Sequence, residues 1–135
     1  MAEPGNAHLL DTQLLLWLAI TPSRLPAELS ASLSDRRNPY AFSVASLWEV
    51  AIKTSLGKPG FQVDATQLRS GLLQQGLQEI SIEADHCLAV QHLPWIHRDP
   101  FDRLLVAQAR QCGLTLLTAD RTLESYGPEV RWVGS

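Results

Sequence analysis

Five short runs of strand-type residues, at 8–10, 40–44, 77–82, 114–117 and 130–133, alternate along this chain with longer stretches of helical periodicity. That alternation constrains the fold more than any other feature. A strand that leads into a helix before the next strand returns parallel to its predecessor, so the pattern builds a parallel sheet covered by helices. Leu114-Thr-Leu-Leu117 is nearly all apolar and suits a central strand buried on both faces. The expected architecture is α/β, a three-layer sandwich with helices on either side of one sheet.

Capping and breaking signals place the helices at 12–19, 26–33, 46–53, 64–75, 83–91 and 101–111, the last closed by Gly113. Thr-Pro-Ser at 21–23, a polar turn at 35–39 and a loop at 94–100 separate them. At 135 residues, 45% hydrophobic and 19% charged, the chain has the composition of one ordered domain. No linker, repeat or low-complexity segment interrupts it. The longest apolar run, residues 14–20, is far shorter than the roughly 20 residues that cross a bilayer. With no basic leader at the amino end, a cytoplasmic location and no membrane partner are expected. Cys87 and Cys112 form no CxxC pair and are expected to be reduced core thiols.

The chemistry lies in the acids. Asp11 and Asp120 each follow a strand, at the carboxyl edge where open α/β sheets place their ligands. Glu49 and Asp102 fall about one turn into helices that leave the same edge. Four carboxylates can thus gather in one pocket from distant parts of the chain, and such a cluster is stable only with cations. Mg²⁺, or Mn²⁺ in its place, takes oxygen ligands and activates water for phosphodiester hydrolysis. The bland reading has real force, since Asp11, Asp99 and Asp120 are all possible helix caps and Ser46-Leu-Trp-Glu49 reads as a capping box. A net charge of -3 also argues against a nucleic-acid binder, unless bound cations offset the clustered acids.

Other chemistry has less support. His86, His92 and His97 match no zinc spacing, and Ser43 and Ser46 lie in no nucleophile elbow. The four tryptophans, not interleaved with basic residues, read as core or partner surface.

Several motifs together carry a resemblance: Leu9-Leu-Asp-Thr-Gln-Leu-Leu-Leu-Trp17, Ser43-Val-Ala-Ser-Leu-Trp-Glu-Val-Ala-Ile-Lys53 with Leu56-Gly-Lys58, His97-Arg-Asp-Pro-Phe-Asp-Arg103, and Leu116-Leu-Thr-Ala-Asp120. From Leu9 to about Val133 the chain resembles the PIN-domain ribonucleases, in particular VapC-type toxins of type II toxin–antitoxin systems. The resemblance implies a five-stranded parallel sheet, a PIN domain over residues 8–135 and a disordered lead-in over residues 1–7. It also implies a metal-dependent endoribonuclease acting on tRNA or other structured RNA, a homodimer, and inhibition by a cognate antitoxin. Asp11, Glu49, Asp102 and Asp120 map to the catalytic metal ligands. Thr12, Ser46, Asp99, Arg98, Arg103, Thr118 and Arg121 are candidates to support them or to touch RNA. Gln13 stands where relatives often have His.

Three rivals remain from other classes. A haloacid-dehalogenase-type phosphatase wants a second Asp where this chain has Gln13, and a receiver-type phosphoacceptor wants paired acids near the first strand and a late Lys; no Lys lies beyond Lys58. A catalytically silent binding module would keep the fold, but all four acids are present. The apolar run at 14–20 carries more hydrophobic surface than one core-facing stripe needs, so a dimer or antitoxin contact is expected near Trp17. Capping and catalysis separate in Asp11→Asn, because Asn caps a helix about as well as Asp. The variant should stay folded and lose RNA cleavage in added Mg²⁺, whereas Asp35→Asn, in a turn, should change neither; cleavage of total RNA and thermal unfolding read both.

Overall fold

The structure, a computed structural model, describes residues 7–134. Its strands are β1 (His8–Leu10), β2 (Tyr40–Ser43), β3 (Gln78–Ile80), β4 (Thr115–Thr118) and β5 (Val130–Trp132). Its helices are α1 (Thr12–Ile20), α2 (Ala27–Ser34), α3 (Val44–Ser55), α4 (Ala65–Gln74), α5 (Ala84–Val90) and α6 (Pro100–Cys112), with 3₁₀ turns at Pro22–Arg24 and Arg121–Tyr126. The lead-in expected over residues 1–7 lies outside the described residues except for Ala7, whose carbonyl accepts the Thr115 N–H at 3.0 Å.

All five strands pair in parallel, in the order β3-β2-β1-β4-β5. The chain winds outward from β1 in both directions, so β1 sits at the topological switch point, where a crevice opens beyond the strands' carboxyl ends. Period-two alternation splits the core into two layers. Leu9, Ala41 and Leu116 face one side, packing with Leu105, Val106 and Ala109 of α6. Leu10, Phe42 and Leu117 face the other, packing with Leu14 and Leu15 of α1, Val50 of α3 and Leu72 of α4. The three-layer α/β sandwich is therefore the observed fold. The 3₁₀ turn over Arg121–Tyr126 has no counterpart in the sequence reading, because its short polar run carries no periodicity.

Two local readings are corrected. The α3 cap is Ser43, whose hydroxyl accepts the Ala45 N–H, so Ser46 and Glu49 lie inside the helix and form no capping box. The strand ends where the helix begins, without a spacer, which moved the cap three residues upstream of the Ser-x-x-Glu motif. Cys87 is exposed and Cys112 half-buried, so neither is a core thiol. The α1 helix is apolar on every side: Leu14 and Leu15 are buried, residues 16–18 are half-buried and Ile20 stays 54% exposed.

Ser43 also donates to Gln108 Oε1, and both side chains are fully buried. Ser43→Ala removes the α3 cap and strands that oxygen, a loss of about 2 kcal/mol. Adding Gln108→Leu removes the orphaned oxygen but also the Gln108 Nε2 bond to the Ser81 carbonyl at 3.3 Å, so it should recover only part of the loss; urea denaturation of the single and double variants measures this.

Candidate active site

The site is built where β1, β2 and β4 end. Asp11, the first residue past β1, caps α1: its Oδ1 accepts the Leu14 N–H at 2.8 Å. Its Oδ2 accepts the Thr118 hydroxyl at 2.7 Å and the Ala119 N–H at 3.0 Å. One carboxylate thus ties the end of β1 to the end of β4. Burial pushes its proton affinity up, three hydrogen bonds work against that shift, and the charge of Glu49 adds to it. Because Asn has a single accepting oxygen, it cannot serve the Leu14 N–H on one side and Thr118 and Ala119 on the other, so Asp11→Asn carries a structural cost that the sequence reading did not include.

Glu49 is in the second turn of α3, further in than the sequence suggested, and points back to the same rim. Its Oε1 lies 2.7 Å from Thr12 Oγ1, which lies 2.8 Å from Ser46 Oγ. With one proton to give, Thr12 donates to the carboxylate and takes the Ser46 proton. Lys53, one turn on, donates to Glu49 Oε2 at 2.8 Å.

Asp102 is the third residue of α6, a helix capped by Asp99 Oδ1, which accepts the N–H groups of Phe101 and Asp102. No hydrogen bond reaches the Asp102 carboxylate among the described residues. Burial and the charges of Asp99, Asp11 and Glu49 hold its proton to about 7, against a smaller opposite pull from His97. Asp120 caps the following 3₁₀ turn, its Oδ1 accepting the N–H and hydroxyl of Thr122. Burial works against its charge, but these bonds and His97 outweigh it and hold the carboxyl below its usual range.

Spacing gave His97 no ligand role, yet its Nε2 sits 2.9 Å from Asp120 and 3.8 Å from Asp102. His97 Nδ1 accepts the Asp99 N–H at 3.1 Å, which leaves the ring proton on Nε2, aimed at Asp120 Oδ2. Ligand atoms of His97, Asp102 and Asp120 all lie within 4.8 Å of one another. The available signal was the compact His-Arg-Asp-Pro-Phe-Asp run itself, where histidine and two acids share one loop and helix start.

Asp11, Glu49, Asp102 and Asp120 all line one cleft of about 500 Å³, together with Thr12, Gln13, Trp17, Asp99 and the cations Arg24, Lys53 and Arg121. Ser46 and Thr118 are buried behind it. Arg98 is exposed and does not line the cleft. Arg103 corrects the expectation of an RNA contact, since it is only 3% exposed. Its position on α6 turns it away from Asp102 into the protein. There it donates to the carbonyls of Pro94 (2.9 Å) and Val90 (3.2 Å) and to the Tyr126 hydroxyl (3.1 Å), under the ring of Trp95 at 4.0 Å. Tyr126 in turn accepts the His97 N–H at 3.0 Å, so Arg103 anchors the loop that carries His97.

The model of the PIN domain matches residues 8–127, and the chain belongs to the PIN domain family, whose members are nucleases. No curated protein sequence matches the chain. Among solved structures it is similar to VapBC2 from Rickettsia felis bound to a promoter DNA fragment, at 19% identity and a TM-score of 0.67 over 95% of this chain and 98% of that one. It is likewise similar to DNA-bound VapBC from Salmonella typhimurium, at 15% identity and a TM-score of 0.69 over 95% and 97%. VapBC-1 from nontypeable Haemophilus influenzae aligns at 17% identity and a TM-score of 0.61 over 95% and 97%. At these identities the likeness establishes a shared fold.

The anchoring of the loop by Arg103 is testable. Arg103→Met keeps the volume but removes the guanidinium bonds that tie α6 to the Val90 and Pro94 carbonyls and to the Tyr126 hydroxyl, which should destabilise the fold by roughly 2–4 kcal/mol in chemical denaturation. A loss below about 0.5 kcal/mol, the range of an ordinary surface change, would show that the network does not hold the loop.

Proposed function

We propose that this chain is a metal-dependent endoribonuclease, the toxin of a toxin–antitoxin pair, with a single PIN domain spanning residues 8–135. The observation that carries the reading is Asp102: an acid with no hydrogen-bond donor among the described residues, in a cleft with four other carboxylates, whose proton is held to about 7 chiefly by burial and by the charges of Asp99, Asp11 and Glu49. The donor set is oxygen-rich and short of positive charge, which fits a hard divalent cation such as Mg²⁺ or Mn²⁺. Asp11, Glu49, Asp102 and Asp120 would hold it. A cation bound there supplies Lewis acidity to a phosphoryl oxygen and lowers the pKa of water for in-line attack.

The chain's own groups do the positioning. Thr118 and Ala119 fix Asp11; Thr12 and Lys53 fix Glu49; His97 Nε2–H and Thr122 fix Asp120. Asp102, neither of whose oxygens accepts a hydrogen bond among the described residues, is the acid free to take a ligand or a proton. RNA, as tRNA or another structured RNA, is the substrate this family membership favours. The similar structures bear the VapBC name of toxin–antitoxin complexes, which supports an antitoxin as partner. The exposed end of α1, with Ile20 and the neighbouring Trp17, is the surface we assign to the antitoxin or to a second copy in a homodimer. No described helix is long and apolar enough to cross a membrane, in keeping with a cytoplasmic place of action.

Asp102→Asn should reduce Mg²⁺-dependent cleavage of total RNA by orders of magnitude while the variant unfolds at or above the parent temperature, because a buried like charge is removed. The pH dependence has a definite sign. With a folded pKa of about 7 against an ordinary 3.8, Asp102 loses its proton later in the folded protein than in the unfolded one, so metal-free stability falls as pH rises from about 4 to 7. Mg²⁺ must displace that proton at pH 6 but not at pH 8, so the rise in melting temperature on adding Mg²⁺ should be larger at pH 8. An equal rise at both values would remove Asp102 from the ligand set.

A further inference from the structure

A cleft lined by five acids repels the polyanion it is meant to cut, so cationic groups on the chain itself must hold the phosphates beside the scissile one. Three cations line the cleft: Arg24, Lys53 and Arg121. Lys53 is engaged by Glu49 at 2.8 Å. Arg24 and Arg121 are different, because neither has an ion pair or a side-chain hydrogen bond among the described residues. Each instead lies over an indole, Arg24 over Trp17 at 4.8 Å and Arg121 over Trp132 at 5.0 Å.

That choice of partner has a chemical consequence. A carboxylate would occupy the guanidinium's N–H groups, which are the groups a phosphate needs. An indole face takes only the flat π surface of the guanidinium, restrains its long side chain, and leaves its in-plane donors unengaged. The two arginines come from separate elements, the Pro22–Arg24 turn after α1 and the Arg121–Tyr126 turn after β4, so they reach the cleft independently. Both are exposed on their solvent side.

We propose that Arg24 and Arg121 are phosphate clamps of the cleft, held open by Trp17 and Trp132 to grip the RNA backbone next to the cleaved bond. This rests on the nuclease reading and adds to it the residues that bind the substrate backbone. The clamps read charge and spacing, not base identity, so they should bind RNA of any sequence.

The test compares the full-length parent with Arg24→Gln, Arg121→Gln and the distant surface variant Arg37→Gln. Binding of a fluorescent RNA oligonucleotide is followed by anisotropy against salt with Ca²⁺ present, and cleavage is followed separately in Mg²⁺. Each clamp variant should flatten the dependence of log affinity on log salt by about 0.7 per lost phosphate contact, with Arg37→Gln unchanged. In cleavage their loss should fall on KM, not on kcat, as expected for uniform binding. Unchanged salt slopes in both variants, alongside a parent that cleaves RNA, would overturn the clamps and leave the nuclease reading standing. A parent that neither binds nor cleaves RNA would overturn both. Polyglutamate that displaces RNA from the parent but not from the clamp variants would reassign the arginines to carboxylates of an acidic protein, and would likewise overturn the proposal.

Discussion

The collection of like charges at one sheet edge is the constraint to which the rest of this structure answers. Carboxylates avoid low-dielectric surroundings and one another, yet Asp11 and Glu49 are both buried and near enough to raise the proton affinity of Asp102. The protein offsets the cost unequally. Asp11 receives three hydrogen bonds, Glu49 a hydroxyl and an ammonium, and Asp120 a threonine and a histidine. Asp102 receives none among the described residues, and the charges of Asp99, Asp11 and Glu49 all bear on it. Preorganised acids with one unsatisfied member are what a cation site requires before the cation arrives.

Capping and ligation were rival readings of the same acids, and the structure makes them compatible. Asp11, Asp99 and Asp120 each cap a helix or turn. A cap fixes the side chain relative to a helix axis, and here each helix start lies at the carboxyl edge of the sheet. Capping bonds therefore orient the very carboxylates that line the cleft. Asp102 is not a cap, and its freedom follows from Asp99 having taken that role three residues earlier.

Much of the fold was legible because its signals are local. Leu9 and Leu10, Ala41 and Phe42, and Leu116 and Leu117 alternate between the two core layers, and such alternation is readable in any short strand. The acids were legible because strand, acid and helix follow one another in the chain, so the sheet edge is implied by sequence order. What stayed hidden depends on contacts between distant segments. Arg103 looked like a surface arginine beside an acid, but the loop before α6 folds over it and supplies carbonyls that no pattern announces. The stacks of Arg24 on Trp17 and Arg121 on Trp132 were missed for the same reason: the partners are not interleaved along the chain and meet only after it turns.

The net charge of -3 looked like an argument against RNA, and the pairing of the surface explains why the sum misleads. Asp35 is matched by Arg37, Glu79 by Arg69 and Glu129 by Arg110, all away from the cleft. Paired charges largely cancel beyond a few ångströms, and salt screens what remains. The field that an approaching polyanion meets is then set by the few groups left unmatched near the cleft. Those are Asp11 and Asp99, which accept only neutral donors, Asp102, whose charge is suppressed near neutral pH, and two arginines resting on indoles. Local pairing, more than total charge, decides what this surface can attract.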